Sequence, residues 1–376
     1  MQNKDALRSL LEPLLNEARG LLATEQGIEE RVSVLIQLAQ AEAVIGEPEA
    51  AKKTRAAAVA LARTAPTTDP KISPMLWPTV AVAHADAGDS VTAKALFAEG
   101  VQRAQKIKEA ERRFYSLAWL AIYQVSLKKE NALAARATMA LAVKSAPTMA
   151  ASANGRSTQI IFLRESGDFA EAKTRLLASK GDVVNTVLAL GNLATKQAKS
   201  GDKVGARATL ADALKRNQTL KEAVERSMSQ ESLLGYFVQI GDAATAKKLA
   251  GTDSQSRQSV AEALAEAGDV DGARALSSEP MAALVYALAA KGKVQEAQKE
   301  LERVLANPNS VTMQDEPIRL LGAVAAAQAK AGDTAGATST LEKARKRIES
   351  DTTFGDKRLL LVASLIESIR TGGKRE

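Results

Sequence analysis

Side chains that usually carry catalysis are scarce in this chain of 376 residues. It has no Cys and one His, His84, which excludes thiol nucleophiles, disulfides, zinc–thiolate sites and two-His metal sites. A His-based triad would have to use His84, for which a packed, hydrogen-bonded structural role is the favoured interpretation. No phosphate-binding glycine motif or Gly-x-Ser-x-Gly turn occurs, and no pair of carboxylates is marked as an acid–base couple. The sequence therefore predicts a protein that is not an enzyme and uses no metal or cofactor.

The charge balance is basic but modest. Lys and Arg total 51 against 44 Asp and Glu, which gives a formal charge of +7. Basic runs at residues 52–55, 106–113 and 343–347 are mostly interleaved with Glu, which favours solvated helix faces over a stripe that follows a phosphate backbone. Nucleic acid is therefore not expected as a partner.

No stretch of the sequence predicts a membrane span. The longest uninterrupted apolar stretch, residues 281–290, covers ten residues, whereas a spanning helix needs roughly 18–20. The first eight residues alternate charged and apolar side chains and lack the separate regions of a signal peptide. We expect a soluble protein of bacterial type. Its compartment stays open: cytoplasmic if Met1 is the native start, exported if a leader has been removed.

A short sequence motif recurs along the chain and contains many of its glycines. Asp follows Gly in six copies, and Ala stands five residues after the turn position in all nine. The turn residues are Gly46, Gly88, Asp89, Gly167, Asp168, Gly201, Asp202, Gly241, Asp242, Gly268, Asp269, Gly292, Gly332 and Asp333, and Lys129 replaces the glycine in the ninth copy, which places Ala134 at its small position.

The motif predicts a helix hairpin. Gly ends the first helix because it takes the left-handed conformation without a Cβ clash. Asp begins the second helix by accepting hydrogen bonds from its free amides. The Ala inside the second helix lets the first helix approach closely. Apolar residues upstream and downstream follow the helical period, and no stretch shows the period-two alternation of a strand.

These features resemble the tetratricopeptide repeat, over about residues 30–350. The copy at Gly88 fits well: Trp77 lies eleven residues before the turn and Ala81 seven before it, while Phe97 fills the second-helix aromatic position. Other copies keep the small residues but replace the aromatic ones with Leu or Ala. The resemblance implies an all-α, right-handed α-solenoid of about nine TPR-like helix hairpins, consistent with a mean repeat of about 36 residues.

The repeats are irregular in length. Turn spacings range from 42 residues (Gly46 to Gly88) to 24 (Gly268 to Gly292), and the short spacings after Gly241 predict helices of about three turns or fewer. Four prolines within residues 64–78 predict a surface loop. We divide the chain into an N-terminal capping helix region (1–28), a repeat solenoid (29–350), and a C-terminal capping helix and tail (351–376). The apolar C-terminal helix is expected to pack on the last repeat, with homodimer pairing through its outer face as the alternative.

In the repeat family, first-helix residues at thirteen, ten, six and three positions before the turn line the concave surface. The resemblance therefore implies Ser116, Trp119, Tyr123 and Ser126 in the third copy, Asn154, Ser157, Ile161 and Arg164 in the fourth, and Tyr286 and Arg319 in later copies. We predict a peptide-binding groove at Trp119, Tyr123, Asn154, Arg164, Tyr286 and Arg319, with a hot spot at the first two. The alternative is that both rings fill space between helix pairs, because the third copy lacks its Gly and its register is open to a shift of one residue.

The function that the sequence favours is a non-catalytic scaffold or adaptor that binds a peptide or helix of another protein in this groove. One alternative is a basic solenoid that binds an acidic polymer, nucleic acid or envelope polysaccharide, through its Lys and Arg rows. A second is a helical glycan-active enzyme, for which only the aromatic residues at 114–123 give any indication.

Overall fold

The computed structural model describes residues 2–25, 27–66, 73–127, 131–179, 182–307, 313, 315–350 and 358–372. In these ranges the chain forms α-helices and no strand, so the protein is all-α. The helices are α1 (Gln2–Leu22), α2 (Ile28–Val44), α3 (Pro48–Thr64), α4 (Leu76–Asp86), α5 (Ser90–Gln105), α6 (Ala110–Leu127), α7 (Ala132–Ser145), α8 (Pro147–Ala150), α9 (Ala153–Ser166), α10 (Phe169–Ala178), α11 (Val183–Lys199), α12 (Lys203–Asn217), α13 (Ala223–Gln239), α14 (Ala243–Ala250), α15 (Ser254–Glu266), α16 (Val270–Leu276), α17 (Ala282–Ala290), α18 (Val294–Ala306), α19 (Glu316–Lys330), α20 (Thr334–Ser350) and α21 (Arg358–Thr371).

Consecutive helices pack as antiparallel pairs. The packed pairs include α2–α3, α4–α5, α6–α7, α9–α10, α11–α12, α13–α14, α17–α18 and α19–α20. The turn glycines have φ values from 71° at Gly292 to 94° at Gly201, the left-handed region that a side chain would strain. At the turn after α4, the Asp89 amide donates to the His84 carbonyl at 2.9 Å, which closes a Schellman motif. This architecture is compatible with a helical repeat protein.

Aspartates begin the second helices of several pairs. The Asp202 carboxylate accepts from the Gly205 amide at 2.8 Å, and the aspartates at 89, 242, 269 and 333 accept equivalently from the amide three residues on. Asp168 makes no such bond. Its carboxylate instead accepts two hydrogen bonds from Arg136 of the preceding pair and one from Ser166.

Two local expectations need correction. In the third copy Ala135, not Ala134, is the buried small residue: Ala135 is fully buried and Ala134 is exposed. Because this copy has no turn glycine, its second helix is displaced by one residue from the expected register, and the turn residue Lys129 lies outside the described residues. The loop predicted to reach residue 78 ends earlier, since α4 begins at Leu76 and contains Pro78 in its first turn. Proline is tolerated there because the first amides of a helix have no intrahelical acceptor.

The closely spaced turns give short helices. α14 has 8 residues, α16 has 7 and α17 has 9, as the spacing after Gly241 predicts, while α15 is longer with 13. Among the helices described, none combines the length and hydrophobicity that a bilayer-spanning segment requires.

The helices form two compact units. The first comprises residues 1–64 and 264–376, and the second comprises residues 65–263. In the second unit the first helices of successive pairs form a layer in which α6 packs on α4 and α9, and α11 packs on α13. These units do not test the three-part division made from sequence, which stays a prediction.

In the first unit, helices from the two ends of the chain pack against each other. α21 lies against α19 and against both α1 and α2. Leu361, Leu365 and Ile366 of α21 are almost completely buried, as are Leu11 and Leu14 of α1. The outer face of α21, considered above as a dimer surface, is therefore covered by helices of the same chain.

Glu17 of α1 joins the ends by ion pairs. Its Oε2 lies 2.9 Å from Nη2 of Arg345, and its Oε1 lies 2.6 Å from Nη2 of Arg358. The Glu17 side chain is only 15% exposed, so the two guanidiniums approach a carboxylate largely removed from water.

We expect Leu365→Ala to destabilise the first unit by about 2–5 kcal/mol, because it leaves a cavity between α21 and the helices around it. Hydrogen exchange should also accelerate in α1, although α1 lies at the other end of the sequence. Leu360→Ala is the matched control, since Leu360 is only half-buried on the same helix. Unchanged exchange in α1 would contradict the packing of the two ends as one unit.

Candidate functional site

A cleft of about 880 Å³ opens in the second unit between α9 and α11. α9 packs closely on α6, and α11 packs closely on α13, whereas α9 and α11 barely touch each other. α10 contacts both helices and contributes Arg175, Leu176 and Ala178 to the lining, and Ser179 follows its last residue. The cleft is therefore a gap in the layer of first helices, with α10 beneath it.

The α9 wall carries the residues that the family resemblance implied for the fourth copy. Asn154, Ser157, Ile161 and Arg164 all line the cleft. They lie on one face of α9 because their spacing follows the helical period. The structure thus brings Asn154 and Arg164 together in one concave site, while their role in binding stays a prediction.

The α11 wall was not anticipated from sequence. Asn185, Leu188, Ala189 and Asn192 line the cleft from this side. The family positions counted back from Gly201 are Leu188, Gly191, Thr195 and Ala198, which include one residue of this wall but neither asparagine. A sequence signal was present: two side-chain amides seven residues apart, and therefore on one face of the helix.

A tyrosine from a neighbouring helix lies beside one asparagine on each wall. The side chain of Tyr115 on α6 makes a polar contact with Asn154, and that of Tyr236 on α13 makes one with Asn192. Burial raises the pKa of both tyrosines above the ordinary value, so each hydroxyl stays protonated at neutral pH. Each amide therefore has a protonated tyrosine of a neighbouring helix beside it.

Ionic contacts continue from Arg164 to the next pair. Glu165 Oε1 lies 2.9 Å from Nε of Arg164, and Glu165 Oε2 lies 2.6 Å from Nζ of Lys196. Burial alone would raise the pKa of Glu165. The hydrogen bond and charge of Lys196, together with Arg164, outweigh burial and hold this pKa below its ordinary value. Glu165 thus binds Arg164 at Nε, and Arg164 also lines the cleft.

The other predicted groove residues lie elsewhere. Trp119 and Tyr123 are half-buried on α6, with ring centroids 6.3 Å apart and ring planes inclined by 49°, and neither lines the cleft. Tyr286 and Arg319 are half-buried on α17 and α19 of the first unit. The proposed hot spot at Trp119 and Tyr123 therefore stays a prediction separate from the cleft.

Several residues considered for chemistry or charge have intramolecular contacts. His84 Nδ1 lies 3.2 Å from Oδ2 of Asp89, the residue that caps α5. Arg113, from one of the basic runs, donates to three carbonyls, including that of Ser145 at 2.8 Å. Arg345, from another run, pairs with Glu17. These two arginines fasten helix ends and connections.

Comparison with known proteins adds no functional assignment. No protein-family model matches the chain, and no curated protein sequence matches it with significance.

We expect Gly191→Ala to destabilise the second unit by about 1–3 kcal/mol and to displace Tyr236. A Cβ at Gly191 would lie 2.1 Å from ring carbons of Tyr236, so the ring must move. The measurements are urea denaturation and tyrosine fluorescence. Gly235→Ala on α13 is the matched control, because its Cβ meets no atom within 4 Å. Equal stability of the two variants would contradict the close packing at Gly191.

We expect Glu165→Gln to lower the free energy of unfolding at pH 7, by about 1 kcal/mol or less because Lys196 is partly exposed. Since the pKa of Glu165 is lowered in the folded state, its stabilising effect is present above the ordinary Glu pKa and is lost as pH falls through the lowered value. Urea titrations of both proteins should therefore differ at pH 7 and converge toward about pH 3. A difference that grows on acidification would be the contrary result.

Proposed function

We propose that this protein is a non-catalytic adaptor that binds an extended segment of another protein in the cleft between α9 and α11. The cleft belongs to a TPR-like, right-handed helical solenoid of about nine hairpins in this proposal, and the neighbouring hairpins hold it in place. Helical repeats suit this role because each pair contacts mainly its neighbours, while the first helices together present a long surface.

The observation that carries the proposal is the pair of amides, Asn154 and Asn192, on opposite walls of the cleft, each with a tyrosine of a neighbouring helix beside it. A side-chain amide has a carbonyl acceptor and two N–H donors, which complement the N–H and C=O of a peptide backbone. Because these contacts are made to the backbone, the two amides can bind peptides of many different sequences.

The rest of the lining suits the side chains of such a segment. Ile160, Ile161, Leu176 and Leu188 give the cleft apolar surface between the polar groups. Its volume of about 880 Å³ lies within the usual range for binding clefts. α6 packs on α9, so Trp119 and Tyr123 lie on the helix next to the cleft wall and could extend the contact surface.

The test is selection of binders from a displayed library of random seven-residue peptides, followed by affinity measurements on variants. We expect the double variant Asn154→Ala/Asn192→Ala to weaken binding of the selected peptides at least about tenfold, because both backbone contacts are lost. Gln102→Ala, which removes an exposed amide on α5 away from the cleft, is the control and should bind normally.

Two results would count against the proposal. One is selection of no peptide whose binding depends on the two asparagines. The other is loss of binding in Trp119→Ala/Tyr123→Ala while the asparagine variants bind as wild type, which would move the binding surface to α6.

A further inference from the structure

Two guanidiniums flank an apolar side chain along the α9 wall. Arg156, Ile160 and Arg164 follow one another at intervals of four residues, and all three line the cleft. At a rise of 1.5 Å per residue, the Cα atoms of the two arginines are about 12 Å apart along the helix axis. A ligand that satisfies both must therefore carry two separate negative charges.

Among the described residues that line the cleft, the cations are Arg156, Arg164 and Arg175. Asp182 caps α11: its Oδ1 accepts from the Val184 amide at 2.8 Å and its Oδ2 from Asn185 Nδ2 at 2.8 Å. Arg175 is paired with Glu171 at 2.8 Å. Among the described lining residues, Asp182 is therefore the one carboxylate, and it is engaged with its own helix, whereas α9 contributes two guanidiniums.

Arg156 and Arg164 keep donors for a ligand after their contacts within the protein. Arg156 is exposed and uses Nη1 to donate to the Ala151 carbonyl. Arg164 uses Nε for Glu165, whose second oxygen is paired with Lys196. A guanidinium has five N–H donors, so both can bind a carboxylate through two hydrogen bonds.

The rise per residue of an extended ligand chain relates the 12 Å separation to a number of ligand residues. An extended chain advances about 3.3 Å per residue, so about 12 Å corresponds to roughly four residues. Side chains at i, i+2 and i+4 of an extended chain point to the same side. Acidic residues at i and i+4 would therefore reach Arg156 and Arg164, and the residue at i+2 would face Ile160.

We propose that the cleft recognises an extended segment of a partner protein with the pattern acidic–x–apolar–x–acidic. This inference rests on the proposed function, since it assigns the partner's chemistry at the same cleft. Charge complementarity selects the two acidic side chains, and the apolar contact with Ile160 sets their register.

The test uses the fluorescein-labelled peptide Gly-Glu-Ser-Leu-Ser-Glu-Gly in polarisation titrations. Gly-Glu-Leu-Glu-Ser-Ser-Gly has the same composition with the acidic residues too close together, and Gly-Lys-Ser-Leu-Ser-Lys-Gly has the charges reversed. We expect the first peptide to bind at least about tenfold more tightly than either of the others. Its affinity should fall between about 50 mM and about 300 mM sodium chloride, because the contacts are ionic.

Variants of the protein localise the effect. Arg156→Gln and Arg164→Gln should each weaken binding of the first peptide about tenfold, because each removes one charge-assisted contact. Lys203→Gln removes the same charge from an exposed position on α12 outside the cleft and should leave binding unchanged. Arg156→Glu/Arg164→Glu should prefer the Lys peptide, which a variant that merely fails to fold would not bind.

The outcomes separate this inference from the proposed function. Library peptides that bind in an asparagine-dependent way without an acidic preference would overturn the acidic pattern and leave the adaptor role standing. Equal affinity for the two peptides of identical composition would overturn the four-residue spacing. Absence of any asparagine-dependent binding would overturn both, and competition by succinate alone at the peptide's affinity would assign the cleft to a small dicarboxylate.

Discussion

Eight helix hairpins in this chain depend on a glycine with φ between 71° and 94°. The turn ends one helix within a residue or two and begins the next, so the offset of every later side chain from the glycine is fixed. The alanine five residues on is nearly or fully buried in each of these hairpins, which lets the two helices approach closely. A single backbone constraint at each turn therefore sets which face of the following helix is buried and which is free to carry function.

The cleft forms where this regular packing is interrupted. α10 has only 10 residues, and α9 and α11 are in contact with it but hardly with each other. Neighbouring helices place a tyrosine beside an asparagine of each wall: α6 supplies Tyr115 and α13 supplies Tyr236. The walls are thus held from behind by helices that do not line the cleft, which is how a gap in a repeat can keep a defined geometry.

The sequence was sufficient for the local structure and for one wall of the cleft. Gly-Asp spacing predicted the hairpins because glycine conformation and aspartate capping act within a few residues. Asn154 and Arg164 were found because their offset from Gly167 is preserved. Asn192 was missed because its exposure depends on the gap between α9 and α11, and Ala135 was missed because Lys129 gives no fixed turn geometry. The packing of α1 on α21 joins residues that no local rule connects.

The contact between the chain ends has a consequence for how the protein is made. Glu17 bonds to residues 328 and 341 positions away, so its partners are synthesised long after α1 leaves the ribosome. Closing so long a loop costs conformational entropy, and contacts of this separation form slowly. During synthesis, the leucines of α1 cannot pack on α21 until α21 has been translated. All residues of the second unit are translated before α21. The residues of α1, which are translated before the whole second unit, are therefore among the last to reach their native surroundings, and until then their leucines lack the partners that bury them.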